Sequence, residues 1–190
     1  MKYPVLFLSA GTILFHAACI QVNLPEKPAA ATDHYTLNLP KNFKVPSVRV
    51  AVAEFASESP AKFKMLSRTG TVLKQESRAK WTQSPSVLLS SAFRDLFGCD
   101  DADYESAKYL LEGDIYVFER NADTNTADLK VLYRLLSRKS GEAVFAKSYE
   151  SAVPIRENTN AAFAEAMSKA VLEQAEKVRE DINVCTGKKK

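Results

Sequence analysis

The chain has 190 residues, with 26 Lys and Arg against 23 Asp and Glu for a formal net charge of +3, two histidines and three cysteines. A balance this close to neutrality excludes a nucleic-acid binder that works by neutralising phosphates. Removing residues 1–18 takes away only Lys2 and leaves 25 basic residues against 23 acidic, so the remainder of the chain reads the same way.

At the N-terminus Lys2 precedes an apolar run from Tyr3 to Phe15. The run is short of the roughly 20 residues a membrane-spanning helix needs, and its layout is that of an export signal. Ala17 and Ala18 then precede Cys19, so "LFHAACI" resembles the lipobox of bacterial lipoproteins, whose cysteine is acylated and begins the mature chain; His16 stands where Leu, Val or Ile is usual. Ordinary secretion or an uncleaved anchor is the alternative, although His16 also departs from an A-x-A-like cleavage site. Ile20 and Gln21 follow the cysteine with no Asp to favour inner-membrane retention, which places the expected anchor in the outer membrane, facing the periplasm. Residues 1–18 are therefore read as a signal peptide and 19–34 as a lipidated tether rich in Pro and Ala. Residues 35–186 are read as one domain long enough to bury a core, and 187–190 as a basic tail in solvent.

Within the domain, "YTLNL" (35–39) alternates like a first strand, and Val48, Val50 and Val52 line one side of a second. "MLSRTGTVLKQES" has two strand-like arms around Gly70, predicting a hairpin. Ser84 as N-cap, Pro85 at the first helical position and Gly98 past the end bracket a helix whose buried stripe is Leu88, Leu89, Ala92, Phe93 and Leu96. Then "GCDDAD" reads as a solvated turn. The strands "YLLEGDIYVFER", "ADLKVLYRLLS" and "EAVFAKSYESAV" are joined by short turns and predict an antiparallel meander. Leu111, Ile115 and Val117 face inward with Leu129, Val131, Tyr133 and Leu135, whereas Glu112, Asp114, Lys130 and Arg134 face outward. A last helix, capped by Asn158 or Thr159, carries Phe163, Met167, Ala170, Val171, Ala175, Val178 and Ile182 at helical spacing. The expected fold is α+β, a two-layer sandwich in which a mostly antiparallel sheet of about five or six strands carries two amphipathic helices on one face.

With Cys19 acylated, Cys99 and Cys185 remain as a pair in an oxidising compartment, each near the C-terminal end of a helix. Two helices lying side by side in the same direction would bring these ends together, so a Cys99–Cys185 disulfide is expected, against the alternative of two thiols.

Catalytic and metal-binding groups are scarce. Apart from His16 the one histidine is His34, at the tether boundary, so triads that use an imidazole base have no candidate. No C-x-x-C, H-x-x-x-H, EF-hand or Gly-rich phosphate loop is present, and no cofactor is expected. The sequence argues against an enzyme. The segment 61–81, "AKFKMLSRTGTVLKQESRAKW", instead carries six basic residues against one acidic, interleaved with apolar ones. Its Lys62, Phe63, Lys64, Met65, Arg68 and Trp81 are the candidate contacts to a partner or a lipid surface; the alternative is a hairpin whose apolar side is core, with Trp81 as a packing anchor.

Taken in order, the lipobox cysteine, the tether, "YTL", "VRVAVAEF", the hairpin leading to "ESRAKWTQSPSVLLSSAFRDLF", then "YLLEGDIYVFER" and the C-terminal helix resemble the ABC-type transport auxiliary lipoproteins. The similarity spans nearly the whole mature chain and is most specific at Trp81 to Pro85 and at "LEGDIYVFER". It implies a non-enzymatic component of a transporter with a mammalian-cell-entry (MCE) domain protein, moving phospholipid or other hydrophobic molecules between inner and outer membranes. It also implies docking onto the MCE-domain assembly, as a homo-oligomer. An envelope-structural or outer-membrane biogenesis lipoprotein that binds other proteins is the alternative, and a periplasmic hydrolase is disfavoured by the histidine count.

Overall fold

A computed structural model describes residues 31–58 and 62–187. The expected signal peptide, Cys19, most of the tether and the tail beyond Gly187 lie outside these residues. The described chain is an α+β fold built on one mixed sheet.

The centre of the sheet is a meander of three long strands, β6 (Tyr109–Asn121), β7 (Thr126–Ser137) and β8 (Ala143–Pro154), paired antiparallel as the turn signals predict. One edge of β6 is then shared end to end by three short strands, all parallel to it: β2 (Val50–Val52), β3 (Ala56–Ser57) and β4 (Lys64–Thr69). Beyond β4 lie its hairpin partner β5 (Val72–Trp81) and, parallel to the end of β5, β1 (Asp33–Tyr35). The sheet therefore has eight strands and both pairing modes, a correction to the expectation of five or six mostly antiparallel ones. Short turns had suggested hairpins; the parallel pairs arise instead because the chain returns to the same edge of β6 three times.

Two further elements differ from expectation. Only Asp33–Tyr35 is a strand at the start; Leu37 and Leu39 alternate because an extended segment lies on a helix, with the Asn38 N–H donating to Ser168 Oγ at 2.9 Å. Alternation reports one covered side, which a helix surface supplies as well as a sheet does. "GCDDAD" is not a turn throughout but opens the short helix α2 (Asp101–Ser106).

The helices α1 (Pro85–Phe97) and α3 (Asn160–Gly187) cover one face of the sheet. In α1 the Ser84 hydroxyl accepts from the Val87 N–H, Pro85 opens the first turn, and Gly98 takes the left-handed conformation (φ 63°) that lets the chain leave. For α3, Thr159 is the cap, its hydroxyl accepting from the Ala162 N–H at 3.1 Å. All five residues of the predicted α1 stripe and all seven of the α3 stripe are buried in one core.

The predicted disulfide is not formed: Cys99 and Cys185 are thiols. The Cys99 thiol donates to the Val50 carbonyl on β2, whereas α3 runs on through Cys185 and holds it beside Lys147 and Tyr149 of β8. β6 and β7 lie between those strands, a separation of about 14 Å at ~4.8 Å per strand, against the under 7 Å between Cα atoms that a disulfide spans.

Candidate partner-binding surface

The six candidate contact residues divide into three groups. Met65 and Trp81 are fully buried, so the apolar side of the hairpin is largely core. Trp81 packs edge-on against Phe118 of β6 (5.2 Å between ring centres) and Phe163 of α3 (5.6 Å), joining the hairpin, the meander and the long helix at one point. Arg68 is half-buried and engaged within the fold: its guanidinium forms a two-pronged ion pair with Glu119, a carboxylate only 5% exposed. That pairing raises the arginine's affinity for its proton further, the hydrogen bond to Glu119 being the main cause. Lys62, Phe63 and Lys64 are exposed, Phe63 at 51%.

Phe63 is fixed where it stands. Its carbonyl accepts the Trp81 N–H at 2.6 Å, and Lys62 before it adopts φ 50°, a left-handed turn that swings the chain into β4. The neighbouring Thr82 N–H donates to the Tyr35 carbonyl, so β1 enters the sheet at the same place. Basic side chains, an exposed aromatic ring and the point where the N-terminal segment meets the fold are thus grouped at one end of the hairpin.

Over the meander, on the sheet face turned away from the helices, Arg134 and Lys130 have their carboxylates. Arg134 donates to Asp114 at 2.6 Å and to Glu112 at 3.4 Å, and Lys130 pairs with Glu150. The inward expectation for Val117 fails here. A bulge between Ile115 and Val117 inserts Tyr116, 60% exposed, and flips the alternation, so Phe118 and Arg120 turn toward the helices while Val117 joins the open face beside Lys130 and Glu150. Between hairpin and bulge lies a hollow of about 280 Å³, walled by Leu66, Leu73, Ile115, Tyr116 and Phe118, with the Arg68–Glu119 pair closing its polar side. Ser57 and Glu58 complete its lining, so the hollow is mixed in character.

Sequence reading missed the polar groups of the core. Gln174 is fully buried in α3 and accepts from the Tyr133 hydroxyl at 2.9 Å while donating to the Leu129 carbonyl at 3.0 Å. Arg120 donates to Asn158 and to the Thr159 carbonyl and lies over the Phe163 ring, fixing the entry of α3; burial lowers its proton affinity. Each sits at a position where helical or strand spacing alone marks only burial, and its partners are distant in sequence. Among the described residues no group of His, Cys, Asp and Glu is placed to hold a metal, and no helix is long and apolar enough to cross a membrane.

No family model and no curated protein matches the chain. Solved structures do. The chain is similar to a Xanthomonas campestris protein described by the family model DUF330, with 17% identity and a TM-score of 0.72, covering 82% of this chain and 97% of that one. It is similar also to an uncharacterized protein, with 9% identity and a TM-score of 0.64, covering 80% of this chain and 99% of the other. At these identities the likeness is one of fold, and it extends over nearly the full length of both structures.

Proposed function

We propose that the chain is a non-enzymatic accessory lipoprotein, acylated at Cys19 and held at the periplasmic face of the outer membrane. It serves an ABC transporter with an MCE-domain protein that moves phospholipid or other hydrophobic molecules between the membranes. The observation that carries this reading is where the family-like residues fall. Trp81, at the head of the first specific stretch, packs on Phe118 of the second, and Phe163 of α3 completes the joint. The stretches that resemble the auxiliary lipoproteins are thus the ones that hold this architecture together, as a likeness of whole fold requires. A structural joint also agrees with a protein that works by position and contact. His34, the histidine among the described residues, lies exposed on an edge strand. A homo-oligomer docking onto the MCE-domain assembly follows from the same resemblance.

Affinity purification of the acylated chain from membranes in mild detergent tests this. Recovery of an ATPase together with an MCE-domain subunit is the expected result. Recovery of barrel-assembly or cell-wall factors in their place would overturn it in favour of an envelope-structural role.

A further inference from the structure

Three strands bring basic side chains into a row on the sheet face turned away from the helices. Lys64 of β4 lies opposite Lys80 of β5, and Lys80 lies opposite His34 of β1. Their sequence neighbours fix the face: Met65 and Trp81 are buried in the core and Tyr35 packs against it, so the row points the other way. Lys62 and the exposed ring of Phe63 stand immediately before Lys64.

Lys64 and Lys80 are like charges directly opposite one another, which destabilises a sheet, so the pair calls for an anion from outside. Over the rest of this face Arg134 pairs with Glu112 and Asp114, Lys130 with Glu150 and Arg68 with Glu119. Among the described residues no carboxylate forms an ion pair with Lys62, Lys64 or Lys80.

We propose that Lys62, Phe63, Lys64, Lys80 and His34 form a docking surface for an anionic bilayer. The lysines meet lipid phosphates, and the exposed Phe63 ring, whose backbone carbonyl accepts the Trp81 N–H, enters the interface at the edge of the patch. A bilayer fits better than an acidic protein because the tethered reading holds this edge of the sheet close to lipid, and lysine is a hydrated point charge suited to a fluid layer of phosphates. The patch is also where the N-terminal segment joins the sheet. The surface rests on the tethered reading for its proximity to membrane: Cys19 precedes Asp33 by fourteen residues, a span of at most about 50 Å when fully extended.

The test uses the mature chain, residues 19–190, carrying Cys19→Ser, so that neither an acyl group nor the apolar run Tyr3–Phe15 masks the contact, and sediments it with vesicles at low salt. Vesicles of phosphatidylcholine with phosphatidylglycerol are compared with phosphatidylcholine alone. Preference for the anionic vesicles is expected, lost as salt rises. It should fall about fivefold for each lysine neutralised, roughly 100-fold in a Lys62→Gln, Lys64→Gln, Lys80→Gln variant. A Lys108→Gln, Lys139→Gln, Lys169→Gln control, with equal charge loss elsewhere, should keep it. Equal preference in the two variants, or none in the parent, overturns the docking surface. Either result leaves the transporter reading to the affinity purification, whose failure would in turn leave the vesicle preference standing.

Discussion

At Gly113 the fold admits no side chain. A Cβ built there would lie 2.9 Å from the ring of Phe55, and that ring is wedged against Phe93 and Tyr133 while its own backbone N–H donates to the buried Ser90 hydroxyl. Gly113→Ala should therefore destabilise the protein by about 1–3 kcal/mol, read as a lower denaturant midpoint with an unchanged slope. Tyr133 and Tyr149 supply a different signature. Burial is the main cause that pushes both phenols up, well above the usual 10.0 for Tyr133; the charge of Tyr149 adds to the first and the Asp181 hydrogen bond to the second. The folded protein keeps these protons at pH values where the unfolded chain releases them, so their contribution is complete below pH 10 and lost as pH climbs above it. Chemical denaturation from pH 8 to 11 should show that decline, and Tyr133→Phe with Tyr149→Phe should flatten it.

Among elements, α1 was the most fully written in the sequence, because its start, stop and buried stripe are all local. Ser84→Ala should cost about 1 kcal/mol, the value of an N-cap, without disturbing the sheet. Trp81→Ala should cost about 3–5 kcal/mol, because the indole is the contact shared by hairpin, meander and α3, and urea titration of the two variants distinguishes these magnitudes. The meander and α3 were legible for the same reason as α1. What escaped was non-local. The parallel placement of β2, β3 and β4 along one edge of β6 depends on where the chain returns, which no local period records. The bulge at Tyr116 hides inside an apparently regular strand and moved Val117 to the wrong side. The contact surface was half legible: an interleaved basic and apolar stretch is visible, but only pairing shows that Met65 and Trp81 are core, that Arg68 belongs to Glu119, and that Lys80 and His34 extend the exposed lysines into a row.

For the whole molecule, this division separates two kinds of variant. Lys62→Glu with Lys64→Glu changes only exposed groups, so thermal stability should hold while binding to anionic vesicles weakens. Arg68→Glu sets a second acid against the buried Glu119 and should lower stability by about 1.5–3 kcal/mol, the worth of a charged hydrogen-bonded contact. A thermal melt beside each vesicle sedimentation tells the two effects apart. The described fold offers a helix-covered core and an open face that carries one unmatched basic patch, which suits the proposed role at a membrane surface. That role depends on the chain being tied to a membrane through a single thiol. The most direct test is mass spectrometry of the mature protein isolated from its native envelope. The account predicts that it begins at Cys19 and carries acyl chains there; a chain that begins elsewhere, or that bears no acyl group on Cys19 and separates from membranes on washing, would contradict it.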